Sequence, residues 1–378
     1  HGMRVLAIIS VLQFHVTVAL FEGGVLRNLD FARRSMTVFF GMDLFFVMSG
    51  FLIGTMLLYA LDKRSESGQT SAAAGVRSMW RFWLRRGFRT FPLYYIVLTG
   101  LVVAFPLTEA QKQNLVFEYA YLTNYRLVLR QTVVMIWGWS LCVEEHFYLA
   151  VPLLLAVLYW LRSHRARIAL LVGLWLLGLA LRLRVFYGSP VPWNDATIFQ
   201  ALYIPTHLRF DILIAGVLLA YVHRYYKEAI ERLLARAFWR WVLFLEGLAC
   251  FVMLCFPHDF PNFFLFRVFS WGTITSLMYV PWILLLLHGK GRVARALGHP
   301  WFLKFATLGY GIYLIHIPLC EGALVPLAQR LQQRAGLTES TLWPLTLFLL
   351  FFGSAACAYL LHLFVEKPAL WLRDRLAP

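Results

Sequence analysis

Long apolar stretches recur from one end of the chain to the other, separated mostly by short polar segments. Many of them approach the length of about 20 apolar residues that a helix needs to cross the hydrocarbon core of a bilayer. No water inside a bilayer can satisfy exposed backbone groups, so such segments must be helical or part of a closed barrel. With 60% hydrophobic residues, the chain is predicted to be an all-α, polytopic membrane protein.

The apolar pattern predicts about ten transmembrane helices. Their approximate bounds are 4–22, 38–60, 91–107, 140–161, 168–186, 208–222, 241–257, 265–287, 305–322 and 343–364. We expect a single integral-membrane domain over 1–378, preceded by a short N-terminal piece and without a fused extracytoplasmic domain. All five cysteines lie in apolar segments, and their odd number argues against a disulfide framework.

The basic residues predict the orientation of these helices. The segments 62–90, 162–167, 223–240, 289–304 and 365–378 hold 22 of the 35 Lys and Arg residues. Short cytoplasmic loops carry an excess of Lys and Arg, so this set is predicted to be cytoplasmic, together with both termini. The net charge of +16 therefore reflects membrane topology, and we expect no nucleic-acid partner.

Four segments outside the predicted spans also carry structural expectations. Residues 63–78 are rich in small residues and predict a flexible linker. Residues 80–89 alternate Arg with aromatic residues, which predicts a helix at the inner interface. The outer segments 108–135 and 187–207 are rich in Tyr, Trp and polar residues, which suit a sugar-binding cleft but also ordinary interfacial anchoring.

Arg4 and His15 are the first candidates for chemistry. Eleven residues separate them inside one apolar run, so they share a helix face and lie about 16 Å apart along the axis. A cation at mid-bilayer costs about 2.5–3.5 kcal/mol on insertion scales. The pair therefore predicts a polar track through the membrane, although snorkelling of Arg4 and packing of His15 explain it equally well.

The second candidate group is Glu144, Glu145 and His146, where the fourth span begins. Adjacent residues on a helix point in different directions, so one or two of these side chains can face a common cavity. A carboxylate beside an imidazole raises its basicity and fixes its tautomer. The alternative is that all three lie in water at the outer interface.

The third candidate group is Arg85, Arg86 and Arg89. Guanidinium groups bind phosphates through paired hydrogen bonds, but the same cluster also suits anchoring to anionic lipid. Other polar residues lie within spans or at their ends, among them Asp43, Arg209, Asp211, His316 and Glu366. No His or Cys pair has metal-ligand spacing on one helix face, so no metal is predicted.

Seven elements in order resemble the acyltransferase-3 family of integral-membrane acyltransferases. They are Arg4 with His15, 40–53, 85–95, 139–148, 209–211, 310–318 and 364–368. The resemblance implies that His15 is catalytic, assisted by Arg4 and Glu144, and that Arg85, Arg86 and Arg89 bind acyl-CoA. His1 and His146 depart from the family pattern, in which Asp and Gln are common at these positions.

The resemblance implies transfer of an acyl group, most simply acetyl, from cytoplasmic acyl-CoA to a hydroxyl of a glycan, lipid-linked sugar or polysaccharide. Acyl-CoA is then a substrate, with no bound cofactor, and the protein modifies the cell envelope from the inner (plasma) membrane. The residues leave other functions open: a transporter or flippase, acylation of a small metabolite such as a macrolide, or an inactive acyl-CoA-binding scaffold. They also leave open whether His15 acts as a general base or carries the acyl group.

Overall fold

The computed structural model describes residues 1–35, 41–68, 72–190, 192–256, 260–289 and 291–376 as a helical bundle. Its ten main helices are α1 (Gly2–Glu22), α2 (Gly41–Glu66), α3 (Ala72–Ala104), α4 (Trp139–Trp160), α5 (His164–Tyr187), α6 (Phe210–Tyr225), α7 (Ala237–Cys255), α8 (Thr275–His288), α9 (Trp301–Leu319) and α10 (Glu339–Leu361). Nine helical segments of the described residues are long and apolar enough to cross a membrane. The predicted all-α, polytopic fold is confirmed.

The predicted sixth span, 208–222, is the short helix α6. With 16 residues, it is about 24 Å long, which is less than the ~30 Å hydrocarbon core. Most of its residues are buried among other helices. The helix is therefore a central element of the bundle, and its neighbours provide the full span around it.

The segments predicted as a linker, 63–78, and as an interfacial helix, 80–89, are mostly parts of the long helices α2 and α3. Helix α2 continues to Glu66, and α3 runs without interruption from Ala72 through Pro92 to Ala104. The prediction of a flexible linker over 63–78 was therefore wrong at both ends; residues 69–71 lie outside the described residues. Alanine is the best helix former, and residues 72–74 are all alanine, which explains why the helix begins so early. At 33 residues, α3 is about 50 Å long.

The outer segment 108–135 is folded into short helices. A capping box joins Thr108 and Gln111 at the start of the helix Glu109–Tyr119, satisfying two orphan backbone donors. The buried carboxylate of Glu118 then accepts the backbone N–H groups of Val134 at 2.7 Å and Met135 at 2.9 Å. These contacts fix the chain just before α4 begins, and so place the polar residues at the start of that helix.

Helices α2 and α6 pack backbone to backbone. Gly50 and Gly216 face each other, and a Cβ on either would overlap the carbonyl oxygen of Leu213 or Val47. A larger residue at either position would push the two helices apart. Glycine is thus required here by close approach, as in other tightly packed membrane helices.

A completely buried arginine holds the break before α8. Arg182 on α5 donates to Asp211 Oδ2 at 2.7 Å and to the backbone carbonyl oxygens of Leu208 at 2.6 Å and Val268 at 3.0 Å. Next to it, the chain turns at Gly272, whose φ of +104° favours glycine. Close to this break, Arg267 and Trp271 line a cavity in the interior of the bundle.

Candidate active site

Two cavities lie along α1, one beside Arg4 and the other beside His15. The first, here called the arginine cavity, has a volume of about 110 Å³ and is lined in part by Arg4, Arg86, Arg89 and Glu144. The second, here called the histidine cavity, has a volume of about 300 Å³ and contains His15 in its wall. Each is far larger than the 10–15 Å³ that one water molecule needs.

Met42 and Tyr313 line both cavities. Met42 lies near the start of α2, and Tyr313 lies in the middle of α9. The hydroxyl of Tyr313 donates to the carbonyl oxygen of Trp137 at 2.8 Å and lies 2.5 Å from Ser140 Oγ. These two side chains form a partition, and Tyr313 is held in place from α4.

The arginine cavity carries excess positive charge. Three guanidinium groups, from Arg4, Arg86 and Arg89, line it together with one carboxylate, that of Glu144. No salt bridge of the described residues involves any of these three arginines. Three guanidinium groups around one cavity suit an anionic ligand, above all a phosphate.

Glu144 and Arg86 are tied to neighbouring helices on the wall of the arginine cavity. Glu144 Oε1 accepts a hydrogen bond from Ser49 Oγ on α2 at 2.5 Å. The guanidinium carbon of Arg86 lies 3.9 Å from the ring centroid of Tyr148, a cation–π distance. The carboxylate predicted to assist catalysis thus lies with the arginines and accepts a hydrogen bond from a serine.

Arg85 lies apart from the other two arginines of its cluster. Its guanidinium group is 3.7 Å from the carboxylate of Asp374, and both side chains are about half exposed. Consecutive residues of a helix differ by about 100° in direction. For this reason Arg86 and Arg89 reach the arginine cavity while Arg85 faces the C-terminal helix Lys367–Leu376.

His15 is held by two acceptors from different helices. Its Nδ1 lies 2.9 Å from the carbonyl oxygen of Val11 and 3.3 Å from Nε2 of His316. The two imidazole rings are 4.9 Å apart with an interplanar angle of 63°. The candidate catalytic histidine is therefore one member of a histidine pair between α1 and α9.

The rest of the histidine cavity combines aromatic faces with two opposite charges. Trp139, Tyr203 and Trp271 line it, and the ring centroid of Tyr203 lies 5.1 Å from that of Trp139 and 4.9 Å from that of Trp271. Asp195 and Arg267 complete this wall. Aromatic faces beside polar groups suit a ligand that is partly apolar and partly hydrogen-bonding.

Glu145 and His146 point away from Glu144, as adjacent helix residues must. His146 Nδ1 lies 2.7 Å from Thr206 Oγ1, which also accepts a hydrogen bond from Asn124 at 2.8 Å. Glu145 is buried against Thr90 of α3. Neither residue lines either cavity.

Sequence reasoning did not identify several residues of the two cavities. Arg267 carries no local signal, because its position depends on the break at Gly272, and Tyr313 was noted only as part of the 310–318 element. His316 was noted only as a polar residue of a predicted span, and its partner could not be predicted. The spacing of Arg4 and His15 predicted that they share one face of α1, and in the structure Arg4 lines one cavity and His15 the other.

The fold and the site define an integral-membrane helical bundle with an arginine-lined cavity next to a histidine-containing one. The chain belongs to the acyltransferase-3 family, since residues 1–363 match the family described as "Acyltransferase domain". No solved structure gives a significant match.

Curated relatives of the chain are named as O-acetyltransferases. The chain is 25% identical to the peptidoglycan O-acetyltransferase OatA of Listeria monocytogenes over 338 residues, covering 84% of this chain and 48% of that protein. It is 26% identical to the putative peptidoglycan O-acetyltransferase YrhL of Bacillus subtilis over 342 residues, with the same coverage. A putative O-acetyltransferase of Staphylococcus aureus is 22% identical over 330 residues, covering 83% of this chain and 49% of that protein. The chain thus spans about half the length of the curated relatives it matches.

Proposed function

We propose that the protein transfers an acyl group, most simply acetyl, from acyl-CoA to a hydroxyl of a cell-envelope glycan such as peptidoglycan. The family and the names of the relatives support O-acyl transfer. The observation that carries the proposal is the shared wall of Met42 and Tyr313. It places a cationic cavity directly beside a cavity that holds a histidine.

The arginine cavity is the proposed donor site. Arg86 and Arg89 bind the phosphates of CoA, and Arg4 stabilises negative charge on a phosphate or on the thioester oxygen. The narrow pantetheine arm of CoA then extends toward Tyr313. Holding the thioester beside the acceptor converts a bimolecular reaction into a nearly unimolecular one.

The histidine cavity is the proposed acceptor site. His15 takes the proton of the acceptor hydroxyl while the hydroxyl oxygen attacks the thioester carbonyl carbon. The C–S bond then breaks, the acyl oxygen ester forms, and the proton passes to the CoA thiolate. General base catalysis of this kind contributes typically 10²–10⁴-fold.

A second route uses His15 as a nucleophile. The imidazole attacks the thioester, CoA leaves as its thiol, and the acyl-imidazole then passes the acyl group to the hydroxyl. In this route CoA and acceptor need not be bound together. Both routes require His15, and neither requires a metal or a bound cofactor.

The proposed topology places the arginine cavity toward the cytoplasm, in the inner (plasma) membrane. The N-terminus is cytoplasmic in this arrangement, as the distribution of Lys and Arg predicts. Arg4 then lies on the side where acyl-CoA is available, and His15 lies about 16 Å deeper along α1.

The test is incubation of purified, detergent-solubilised protein with radiolabelled acetyl-CoA and peptidoglycan fragments. Release of CoA and transfer of label are measured for the wild type and for His15→Ala. His223→Ala serves as the matched control, because His223 pairs with His288 at 3.2 Å and lines neither cavity. We expect His15→Ala to lose at least about 10²-fold in turnover while the control stays close to wild type.

The same assay discriminates against the rival functions. Full turnover by a folded His15→Ala protein would overturn the catalytic assignment. Movement of a glycan across vesicles without acyl-CoA would instead establish a transporter. Transfer of label to a small metabolite, with none to peptidoglycan fragments, would retain the reaction and replace the acceptor.

A further inference from the structure

The hydrogen bonds of His316 fix its tautomer. His316 lies on α9, is completely buried, and has Nδ1 at 2.6 Å from the carbonyl oxygen of Tyr313. A carbonyl oxygen only accepts, so the proton is on Nδ1. A neutral imidazole carries one N–H group, and the lone pair of His316 is therefore on Nε2.

This lone pair and the carbonyl oxygen of Val11 together favour one tautomer of His15. His15 Nδ1 lies 3.3 Å from Nε2 of His316 and 2.9 Å from the carbonyl oxygen of Val11. Both neighbours are acceptors, so Nδ1 of His15 carries its proton and donates to them. The lone pair of His15 is consequently on Nε2.

We propose that His316 is a positioning residue that holds His15 in the Nδ1–H tautomer and leaves Nε2 to receive the acceptor proton or the acyl group. When His15 becomes an imidazolium, the lone pair of His316 stabilises the new charge through the same hydrogen bond. This is the role that a hydrogen-bonded third group plays in catalytic triads, although a carboxylate usually fills it. The inference rests on the proposed function of His15.

The position of His316 is fixed through the same residue that separates the cavities. Tyr313, whose carbonyl oxygen accepts from His316, donates its own hydroxyl to the carbonyl oxygen of Trp137. Trp137 Nε1 in turn donates to the carbonyl oxygen of Leu314 at 3.2 Å. The start of α4 thus fixes α9, and α9 fixes the histidine pair against α1.

Two variants of His316 separate positioning from packing. His316→Phe keeps a ring of similar shape but removes the acceptor next to His15. His316→Gln keeps a group that can accept at the position of Nε2. His288→Phe is the matched control, since it breaks the other close histidine pair, 3.2 Å from His223, outside both cavities.

We expect His316→Phe to lower kcat by about 10–100-fold, with the KM for acetyl-CoA unchanged. His316→Gln should recover most of this loss, and His288→Phe should stay near the wild-type kcat. A loss of folded protein that is equal for Phe and Gln, with a wild-type kcat per folded molecule, would overturn the positioning role.

A spectroscopic measurement tests the tautomer directly. In protein labelled with ¹⁵N at the histidine rings, the resonances of His15 are identified by their absence from His15→Ala. Nδ1–H shifts in the wild type that move toward Nε2–H shifts in His316→Phe support the proposal. An Nε2–H ring in the wild type, or an unchanged Nδ1–H ring in His316→Phe, overturns it.

The outcome for His15 keeps the two proposals distinguishable. If His15→Ala retains turnover, the proposed function fails whatever His316 does. If His15→Ala is inactive while His316→Phe keeps the wild-type kcat, the enzyme assignment stands and the positioning role alone fails.

Discussion

Asp43 and Arg209 form an ion pair between α2 and the start of α6, and both side chains are almost completely buried. The pair lies next to one residue of the histidine cavity in space and next to another in sequence. Asp43 follows Met42 of the partition, and the guanidinium carbon of Arg209 lies 4.3 Å from the ring centroid of Tyr203. A buried ion pair therefore packs, through Arg209, against Tyr203 in the wall of the candidate active site.

Removing one member of this pair should destabilise the protein strongly. Asp43→Asn or Arg209→Met leaves the partner charge buried without compensation, which typically costs about 3–5 kcal/mol. Thermal unfolding in detergent of fixed composition measures the loss. The half-buried pair of Asp62 and Arg224 is the control, and Asp62→Asn should cost about 1 kcal/mol or less. Equal losses for the two pairs would contradict the argument from burial.

The arginine cavity predicts which arginines bind the donor. Arg86→Ala and Arg89→Ala should each raise the KM for acetyl-CoA by about tenfold or more, since each removes a charge-assisted hydrogen bond worth about 1.5–3 kcal/mol. Arg81, which is exposed on the same helix, provides the matched control. Steady-state kinetics with varied acetyl-CoA measure the effect. The change for Arg85→Ala should be smaller than that for Arg86→Ala, because Arg85 pairs with Asp374 outside the cavity.

The aromatic wall of the histidine cavity predicts a change in the KM for the acceptor alone. Trp139→Ala should raise the KM for peptidoglycan fragments and leave the KM for acetyl-CoA unchanged, because Trp139 lines only the histidine cavity. Loss of one stacking surface corresponds to roughly 0.5–1.5 kcal/mol, or up to about tenfold. Varying each substrate at saturating levels of the other separates the two constants. An equal rise in both would contradict the assignment of separate donor and acceptor sites.

Glu118 predicts a dependence of stability on pH. Burial raises the pKa of the Glu118 carboxyl above its ordinary value of 4.5, and the backbone N–H groups of Val134 and Met135 partly oppose this. The folded protein therefore binds this proton more tightly than the unfolded chain. Its contribution to stability is complete below the unfolded pKa and is lost as pH rises through the folded pKa.

Comparison with Glu118→Gln isolates this contribution, because glutamine does not titrate. The difference in unfolding temperature between wild type and variant should shift against the wild type as pH rises from about 4 to about 7. Glu109→Gln is the control, since Glu109 is exposed and pairs with Lys112 on the same helix. A difference that shifts in favour of the wild type as pH rises would show that the two backbone hydrogen bonds outweigh burial.

Much of this architecture follows from hydrophobic length and charge. Apolar runs marked the main helices, and the spacing of Arg4 and His15 placed both on the face of α1 that lines the two cavities. The 63–78 segment was misjudged because serine and glycine obscured the strong helix propensity of Ala72, Ala73 and Ala74. Local composition also could not separate Arg85 from Arg86, since that distinction depends on the direction in which α3 packs.

The remaining residues of the candidate site are brought together by contacts between helices that are far apart in the sequence. His316 meets His15 across 301 positions of sequence, and no periodicity within α9 specifies that contact. Arg267 reaches the histidine cavity because Arg182 and Gly272 hold the chain in a break before α8. Such contacts depend on how the helices pack in three dimensions. Hydrophobic periodicity and motif spacing in one sequence do not predict that packing.

The partition formed by Met42 and Tyr313 also has a consequence for the permeability of the membrane. The cavities on both sides of it are large enough to hold water, and the thioether of Met42 and the phenol ring of Tyr313 belong to both walls. Replacing Tyr313 with alanine would join these spaces. The proposed function therefore requires the same two side chains to restrain proton leakage and to let an acyl group pass between the donor and acceptor sites.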